Sequence, residues 1–244
     1  MSIAMKTMIS IVLPVYNRFS GLGNGIRELK AVLDERICVY EIIIVDDGSV
    51  NKDQIKAIAD LHSCNYLRND RNAGKGMAVK KGILASTGEL IIFMDGDFPF
   101  HLDVINRMID ALQHHLIVIG DRTLPGSRYA KETVIMRKAG SRILSLLISR
   151  FYVKGITDSQ CGIKGFREKT GKAIFNKLTQ SGFSFDVELL FVARKNRIDI
   201  KRLPVHVVEQ EGSSVNVFKD GFVMLFSLFS ILFNQAQGKY RINE

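Results

Sequence analysis

The first 120 residues show two periodicities, one typical of buried strands and the other of amphipathic helices. Short runs of β-branched apolar residues alternate with longer segments in which apolar positions recur every three or four residues. The runs predict strands at 9–15, 41–46, 65–68, 90–95 and 116–120, and the segments between them predict helices at 20–35, 52–62, 75–85 and 102–114. This alternation predicts an α/β fold with a Rossmann-like, mainly parallel sheet flanked by helices.

The pattern changes after residue 120. A basic loop at 121–138 leads into a mixed apolar and cationic helix at 136–153. Further along, the pattern predicts a strand at 162–166, helices at 168–178 and 185–195, a strand at 200–208 and an apolar segment at 221–233. We therefore predict a catalytic domain over 1–215 and a C-terminal apolar and basic helix over 216–244.

The apolar runs are too short to cross a membrane. The run at 8–15 has no small-residue cleavage site after it, so we interpret it as a buried strand and not as part of a secretory signal. The run at 221–233 is shorter than the roughly 20 residues that a spanning helix needs. We predict no transmembrane segment.

The net charge of the chain indicates which classes of molecule it can bind. Thirty-four Lys and Arg residues outnumber 25 Asp and Glu, which gives a formal net charge of +9 and favours a nucleotide diphosphate, a nucleic acid or an anionic membrane. The cations cluster around apolar helices and form no stripe with stacking aromatics, so we predict no nucleic-acid partner. Three widely spaced cysteines form neither a disulfide framework nor a Cys-x-x-Cys metal site, which favours a reducing, cytoplasmic setting.

Polar residues follow three of the predicted parallel strands at the point where each strand ends. Asn17 follows the first strand, Asp46 and Asp47 end the second, and Asp95 and Asp97 end the strand at 90–95. Because ligands of open α/β sheets bind at the carboxyl ends of the strands, one crevice could collect all of these side chains.

Asp95, Gly96 and Asp97 form the strongest candidate for chemistry. Two carboxylates delivered by a buried strand can hold a hard divalent cation such as Mg²⁺ or Mn²⁺ and leave coordination positions for diphosphate oxygens. Such an ion neutralises the charge that develops as a nucleotide diphosphate departs. The alternative is a turn in which the aspartates merely cap the helix at 102–114.

The turns after the second and third strands suit a nucleotide. Asp46 or Asp47 can accept hydrogen bonds from a pyrimidine imide or from ribose hydroxyls, although a turn with Ser49 or Asn51 as the helix N-cap is also consistent. Lys75 stands between glycines at the start of a predicted helix, where backbone N–H groups and one cation could bind phosphate. The first strand is followed by no Gly-x-Gly-x-x-Gly, and Lys75 lacks the P-loop spacing, which disfavours dinucleotide and NTPase functions.

Four ordered motifs carry a family resemblance. They are Pro14-Val15-Tyr16-Asn17, Val45-Asp46-Asp47-Gly48-Ser49, Arg71-Asn72-Ala73-Gly74-Lys75-Gly76 and Asp95-Gly96-Asp97. Their order and spacing resemble those of family 2 glycosyltransferases of the GT-A fold. The segments at 153–166, 185–190 and 211–214 are similar to the polyprenyl-phosphate branch, particularly dolichyl-phosphate β-glucosyltransferases.

The resemblance implies an inverting transfer from a UDP-sugar or a GDP-sugar, with the metal on Asp97 and Asp95. It implies catalytic roles for Asp95, Asp97 and Asp158. The residues implied to bind the sugar nucleotide are Pro14, Val15, Tyr16, Asn17, Asp46, Asp47, Lys75, Asp95 and Gly96. Pro99 stands where mannosyl-type relatives have a Gln that helps to hold the metal, so the third ligand is open.

By the same resemblance, Arg122, Arg137, Ser141 and Gln160 bind the acceptor. Arginines suit a phosphate because the guanidinium forms bidentate hydrogen bonds and stays charged. A phosphate monoester, with a second pKa of about 6, is already ionised at neutral pH, so a polyprenyl phosphate acceptor needs no protein base.

The resemblance thus implies transfer of a hexose, glucose by analogy, from a nucleoside-diphosphate sugar to polyprenyl phosphate on the cytoplasmic membrane face. The helices at 136–153 and 216–244 are then predicted to lie on the anionic membrane surface, the alternatives being core helices or an oligomer interface. Two other functions stay open. One is transfer to a sugar hydroxyl of a surface polysaccharide or glycolipid, with Asp158 or Asp186 as base. The other is noncatalytic binding of sugar nucleotides at a membrane.

Overall fold

The computed structural model describes residues 7–36, 38–129, 152–153, 155–208 and 217–242, with side chains in the last segment described from 226 onward. The predicted helix at 136–153, and with it Arg137 and Ser141, lies almost wholly outside the described residues.

A seven-stranded sheet forms the centre of the described fold, in the order β3-β2-β1-β4-β7-β5-β8. Its strands are β1 (Met8–Val15), β2 (Val39–Asp46), β3 (Asn65–Arg68), β4 (Leu90–Met94), β5 (Ile117–Asp121), β7 (Ile163–Arg167) and β8 (Ile200–Pro204). A separate two-stranded sheet pairs β6 (Arg128–Tyr129) with β9 (His206–Val207). Every pairing in the large sheet is parallel except those of β7 with β4 and β5.

Helices cover both faces of this sheet. They are α1 (Leu22–Glu35), α2 (Lys52–Leu61), α3 (Lys75–Ala85), α4 (Asp103–Leu112), α5 (Glu168–Lys177), α6 (Phe185–Lys195) and α7 (Val217–Ala236). The predicted α/β class and the mainly parallel sheet are confirmed.

Strand side chains alternate between two cores because successive residues of a strand point to opposite faces. In β4, Ile92 and Met94 join the core that contains α1 and α4, whereas Ile91 and Phe93 join the core that contains α3, α5 and α6. The apolar runs of β1, β2 and β4 are therefore buried on both faces, as expected for central parallel strands, whereas β3 at the edge of the sheet is only partly buried.

The C-terminal helix packs against the second of these cores. Leu228 and Ile231 of α7 are buried in it together with Tyr240, which follows the helix. Phe226, Phe229 and Phe233 face away from the protein, with 64 to 75% of each residue exposed. Within the described part of the chain, no helix has both the length and the hydropathy required to span a bilayer.

The structure differs from the sequence prediction in the second half of the sheet. The predicted strand at 162–166 is present as β7, but it runs antiparallel between β4 and β5. The single strand predicted at 200–208 is wrong, because the pairing changes at Val205. There the Val205 N–H donates to Ser127 Oγ and the carbonyl accepts from Arg128 N, which moves the chain from β5 to the small sheet.

Candidate functional site

A cavity of about 400 Å³ opens at the carboxyl ends of β1, β2 and β4. It collects predicted residues from four separate stretches of the chain, together with two residues from the loop between α5 and α6. The lining residues are Pro14, Val15, Tyr16, Arg18, Asp47, Asn72, Gly74, Lys75, Ala78, Asp95, Gly96, Asp97, Gly182 and Phe183. The sequence argument that one crevice would unite the strand ends is therefore supported by the geometry.

Asn17 and Asp46, both assigned to the nucleotide, do not line this cavity and instead stabilise its rim. Asn17 adopts a left-handed backbone with φ 55°, its N–H donates to Ser49 Oγ at 2.9 Å, and its Oδ1 accepts from Val50 N. Asp46 is fully buried and accepts hydrogen bonds from Ser49 N and Tyr66, besides an ion pair with Arg68. Burial raises the pKa of Asp46, but these hydrogen bonds outweigh it and lower the pKa below its usual value.

Asp47 holds the loop that leads into α3. Its carboxylate accepts hydrogen bonds from Ala73 N and Gly74 N, each at 2.9 Å, and from Asn69 Nδ2. The Gly76 N–H donates to Ser181 O. These backbone N–H groups already donate to acceptors within the protein. The group of this loop that is best placed to bind an anion is therefore the Lys75 ammonium.

Gly74 is a position where a side chain cannot fit. Its φ is +95°, and a Cβ there would lie 2.4 Å from Ser181 O. The glycine thereby lets the start of α3 pack directly against the loop between α5 and α6.

Lys75 and Asp95 form an ion pair inside the cavity, with Nζ 2.6 Å from Oδ1. Burial lowers the pKa of Lys75, but the charges of Asp95 and Asp186 outweigh this effect and raise it, so the ammonium stays protonated. Although Lys75 Nζ is close to Asp95 Oδ1, the two are not aligned for a hydrogen bond. Asp95 Oδ1 is buried and has no hydrogen-bond partner among the described residues. An aligned partner for this oxygen is consequently missing from the described chain.

The alternative in which the aspartates cap a helix is wrong for α4. The N-cap of α4 is Leu102, and no side-chain hydrogen bond caps that end. Asn51 stands at the N-cap of α2, also without a side-chain hydrogen bond. Asp97 is instead exposed and lines the cavity beside Asp95.

The residues present fit a metal only in part. Among the described residues, no group of three or more His, Cys, Asp or Glu side chains could enclose an ion. Magnesium, however, is commonly held by one or two carboxylates, with water and substrate phosphate oxygens as the remaining ligands. Asp95, whose Oδ1 pairs with Lys75 but has no aligned hydrogen bond, and the exposed carboxylate of Asp97 suit a site of that kind.

Arg122 and Asp158 pair with each other outside the cavity lining. The Asp158 carboxylate accepts hydrogen bonds from Arg122 Nε and Nη2 at 2.8 and 2.7 Å, and from the Arg122 backbone N–H. Burial raises the pKa of Asp158, but Arg122 outweighs it and lowers the pKa, so Asp158 is a weak base. Two of the five guanidinium N–H donors are used on Asp158, and no hydrogen bond to another described residue uses the remaining three.

The neighbouring residues of the same loop differ in exposure. Gln160 is exposed, whereas Cys161 is buried. Burial, reinforced by the charge of Asp158, raises the pKa of the Cys161 thiol to about 12, so it stays protonated and unreactive.

A buried ion pair beneath the site was not identified as a pair from the sequence. Lys164 Nζ lies 2.5 Å from Asp186 Oδ1 and donates to Cys161 O, and both side chains are almost completely buried. Burial raises the pKa of Asp186 more than Lys164 lowers it. Because no pattern in the sequence links a lysine in a strand with an aspartate in a helix, only the fold reveals this contact.

A second, more open depression of about 590 Å³ lies beside the site. Its cations are partly used within the protein, since Arg68 pairs with Asp46 and Lys81 donates to Arg68 O and Asn69. The depression contains neither Asp95 nor Asp97, so the smaller cavity is the candidate active site.

Comparison with known families gives a match over most of the chain. Residues 10–176 match the family model described as glycosyl transferase family 2. Dolichyl-phosphate beta-glucosyltransferases are similar over nearly the whole length. The protein from Dictyostelium discoideum is 30% identical over 96% of this chain and 76% of its own length, and that from Homo sapiens is 31% identical over 97% and 78%.

Solved structures show the same fold. Mannosyl-3-phosphoglycerate synthase from Rubrobacter xylanophilus superposes with a TM-score of 0.71 at 16% identity, covering 98% of this chain and 76% of that one. Glucosyl-3-phosphoglycerate synthase from Mycobacterium tuberculosis, solved in complex with UDP, gives a TM-score of 0.65 at 16% identity, over 98% and 82% of the two chains. At this identity the likeness establishes the GT-A fold and nothing finer.

Proposed function

Because the chain belongs to glycosyl transferase family 2, we propose that it transfers a hexose, glucose by analogy with its relatives, from a nucleoside-diphosphate sugar to polyprenyl phosphate with inversion at the anomeric carbon. The observation that carries the proposal is the cavity in which Lys75, Asp95 and Asp97 meet at the ends of the central strands. Its acidic and basic groups suit a donor whose leaving group is an anion and whose transfer needs charge compensation.

In this proposal different residues of the cavity bind different parts of the sugar nucleotide. Asp47 fixes the loop that presents Lys75, and the Lys75 ammonium lies beside the leaving diphosphate while holding the Asp95 side chain in place. Tyr16 lies half exposed at the rim after β1, where it can contact the nucleoside. Asp97 and Asp95 would hold Mg²⁺ or Mn²⁺, which when bound compensates the charge of the departing diphosphate.

The state of the carboxylates favours a phosphate acceptor over a sugar hydroxyl. A hydroxyl acceptor needs a base that can take its proton. Asp158 is a weak base because Arg122 stabilises its ionised form, and Asp186 is buried against Lys164, where an acceptor cannot reach it. A phosphate acceptor is already anionic and needs none. Arg122 keeps guanidinium donors for such a phosphate, and Arg137, Ser141 and Gln160 complete the acceptor site that we propose.

We place the reaction at the cytoplasmic face of a membrane, with the protein attached peripherally. Phe226, Phe229 and Phe233 form an exposed apolar face on α7, and the chain carries a net charge of +9. A lipid bilayer with anionic headgroups matches both features, because it accepts aromatic side chains and attracts cations.

The direct test is a transfer assay with purified protein, Mg²⁺ or Mn²⁺, a panel of UDP- and GDP-sugars, and polyprenyl phosphate in detergent. We expect a glycosylated polyprenyl phosphate to form with one sugar nucleotide, and Asp97→Asn to lower turnover about 100-fold or more. Thermal unfolding of the variant should match the wild type, because Asp97 is exposed. Equal turnover in the two proteins would contradict the role of Asp97, and no transfer to any acceptor phosphate would contradict the function.

A further inference from the structure

Phe183 is an aromatic residue inside the cavity that the proposed roles above leave unused. It lies in the loop between α5 and α6, lines the cavity together with Gly182, and is 44% exposed. Burial of an aromatic ring is favourable, so a ring left half exposed in a concave site keeps apolar surface in contact with water that a ligand could cover. The exposed ring therefore points to a ligand that covers it.

The loop that carries Phe183 is firmly held. The buried carboxylate of Glu188 accepts hydrogen bonds from Thr179 N, Thr179 Oγ1 and Gln180 N, at 2.7 to 3.0 Å. The next residue, Ser181, accepts a hydrogen bond from Gly76 N through its carbonyl oxygen. On the other side of Phe183, Phe185 is fully buried and its N–H donates to Gly182 O. Phe183 is therefore presented at a defined position.

The neighbours of Phe183 identify which part of the donor it meets. The Lys75 ammonium lies 5.8 Å from the centroid of the Phe183 ring and 2.6 Å from Asp95. Phe183 thus lies next to Lys75, and Lys75 contacts Asp95; we assign both of these residues to the diphosphate. The nucleoside is assigned to Tyr16, which stands on a different loop after β1. The sugar is the remaining part of the donor next to the diphosphate.

We propose that Phe183 is the binding platform for the donor hexose, with its ring stacked on the apolar C–H face of the pyranose. The negative face of the aromatic ring attracts the weakly positive C–H groups, and the flat surfaces exclude water. This inference rests on the proposed function, since it assigns a place for the sugar in the same cavity. It makes Phe183 a determinant of sugar affinity and leaves nucleotide affinity to other residues.

The test compares a nucleotide with its own sugar conjugate. UDP and UDP-glucose are titrated calorimetrically against the wild type, Phe183→Ala and Phe183→Trp without acceptor, and GDP and GDP-glucose replace them if the wild type prefers guanine. We expect Phe183→Ala to weaken UDP-glucose about tenfold and UDP by less than about twofold, and Phe183→Trp to retain sugar-nucleotide affinity. Tyr16→Ala, the matched aromatic truncation in the same cavity, should weaken both ligands equally.

The outcomes separate the two proposals. Normal wild-type binding with an unchanged affinity of Phe183→Ala for UDP-glucose would overturn the platform and leave the proposed function standing. An equal loss of UDP and UDP-glucose in Phe183→Ala would also overturn it, because the ring would then serve the nucleotide. If the wild type bound no sugar nucleotide at all, both proposals would fall.

Discussion

At the scale of single residues, the carboxylates near the cavity differ in how far their oxygens are already used within the protein. Asp95 and Asp97 line the cavity, whereas Asp46, Asp158 and Glu188 use their oxygens on internal donors. Sequence motifs treat all of these residues alike. Burial and hydrogen bonding, which depend on residues far away in the chain, decide which of them can meet a ligand.

The Arg122–Asp158 pair predicts a pH-dependent contribution to stability. The folded pKa of Asp158 lies below its unfolded value, so its contribution is complete above about pH 4 and is lost as pH falls through the folded pKa. We expect Asp158→Asn to lower the free energy of unfolding at pH 7 by about 2 kcal/mol. This is less than the 3–5 kcal/mol or so of a fully buried pair, because 37% of the Arg122 side chain is exposed.

Urea unfolding at several pH values measures this contribution. The difference between wild type and Asp158→Asn should be constant from pH 7 to about 5 and should shrink below about pH 4. Lys56→Met is a control, because it removes an exposed ion pair with Asp60 and should change stability by less than about 1 kcal/mol. A difference for Asp158→Asn that does not vary with pH would show that the charge of Asp158 contributes nothing.

At the scale of elements, the short segment between α5 and α6 links the cavity to the C-terminal helix. Gln180 Nε2 donates to Ser230 Oγ, and Asn234 Nδ2 donates to Thr179 Oγ1. Glu188 of α6 also accepts a hydrogen bond from the Tyr240 hydroxyl. One buried carboxylate therefore joins α6, the segment with Phe183 and the end of the described chain.

Glu188→Gln tests this junction. The glutamine amide would place an N–H₂ group where Glu188 now has an oxygen that accepts hydrogen bonds, so at least one donor would lose its acceptor. We expect the free energy of unfolding to fall by about 3 kcal/mol and the affinity for the sugar nucleotide to become weaker. Tyr240→Phe removes the hydrogen bond to Glu188 and the longer one that the hydroxyl accepts from Asn234 Nδ2, and it should cost less, about 2 kcal/mol, because the Glu188 carboxylate keeps its other donors. Chemical denaturation and donor titration of both variants give the comparison, and a Glu188→Gln protein as stable as the wild type would contradict the assigned role.

Sequence periodicity predicted β1, β2 and β4 because their apolar runs are buried on both faces of the sheet, and it predicted the helices between the strands from their apolar positions. It did not reveal that β7 enters the sheet antiparallel, since the same run of apolar residues suits either direction. The meeting of Asp47, Asp95 and Asp97 in one cavity was predictable from the topology of a parallel sheet, whereas Lys75 was predicted only as a phosphate-binding cation at the start of a helix. Phe183 was not, because nothing near it in the sequence indicates that it lies beside Lys75.

At the scale of the whole molecule, the apolar face of α7 and the excess of positive charge predict attachment to anionic bilayers. We expect the double variant Phe229→Ser/Phe233→Ser to lower the partition coefficient onto phosphatidylglycerol–phosphatidylcholine vesicles about 100-fold, since each ring contributes about 1.5–3 kcal/mol on burial. Flotation of the protein with vesicles measures this, and added salt should weaken binding of the wild type.

Leu61→Ser is the matched control, because Leu61 is 79% exposed on α2, outside the face formed by the three phenylalanines. It should leave partitioning unchanged. If vesicle binding of the double variant equalled that of the wild type, the membrane role of this face would be excluded. If light scattering showed the wild type to be a dimer and the double variant a monomer, α7 would be a protein interface instead.

The hydrogen bond between Tyr240 and Glu188 has a consequence for the order in which the protein matures during synthesis. The segments that carry Asp47, Lys75 and Asp95 are synthesised well before Tyr240, whereas the loop that carries Phe183 gains the support of the Tyr240–Glu188 hydrogen bond only after Tyr240 has left the ribosome. Nascent chains stalled before that residue should bind UDP more readily than UDP-glucose. Selectivity for the sugar would thus be acquired only after Tyr240 has left the ribosome.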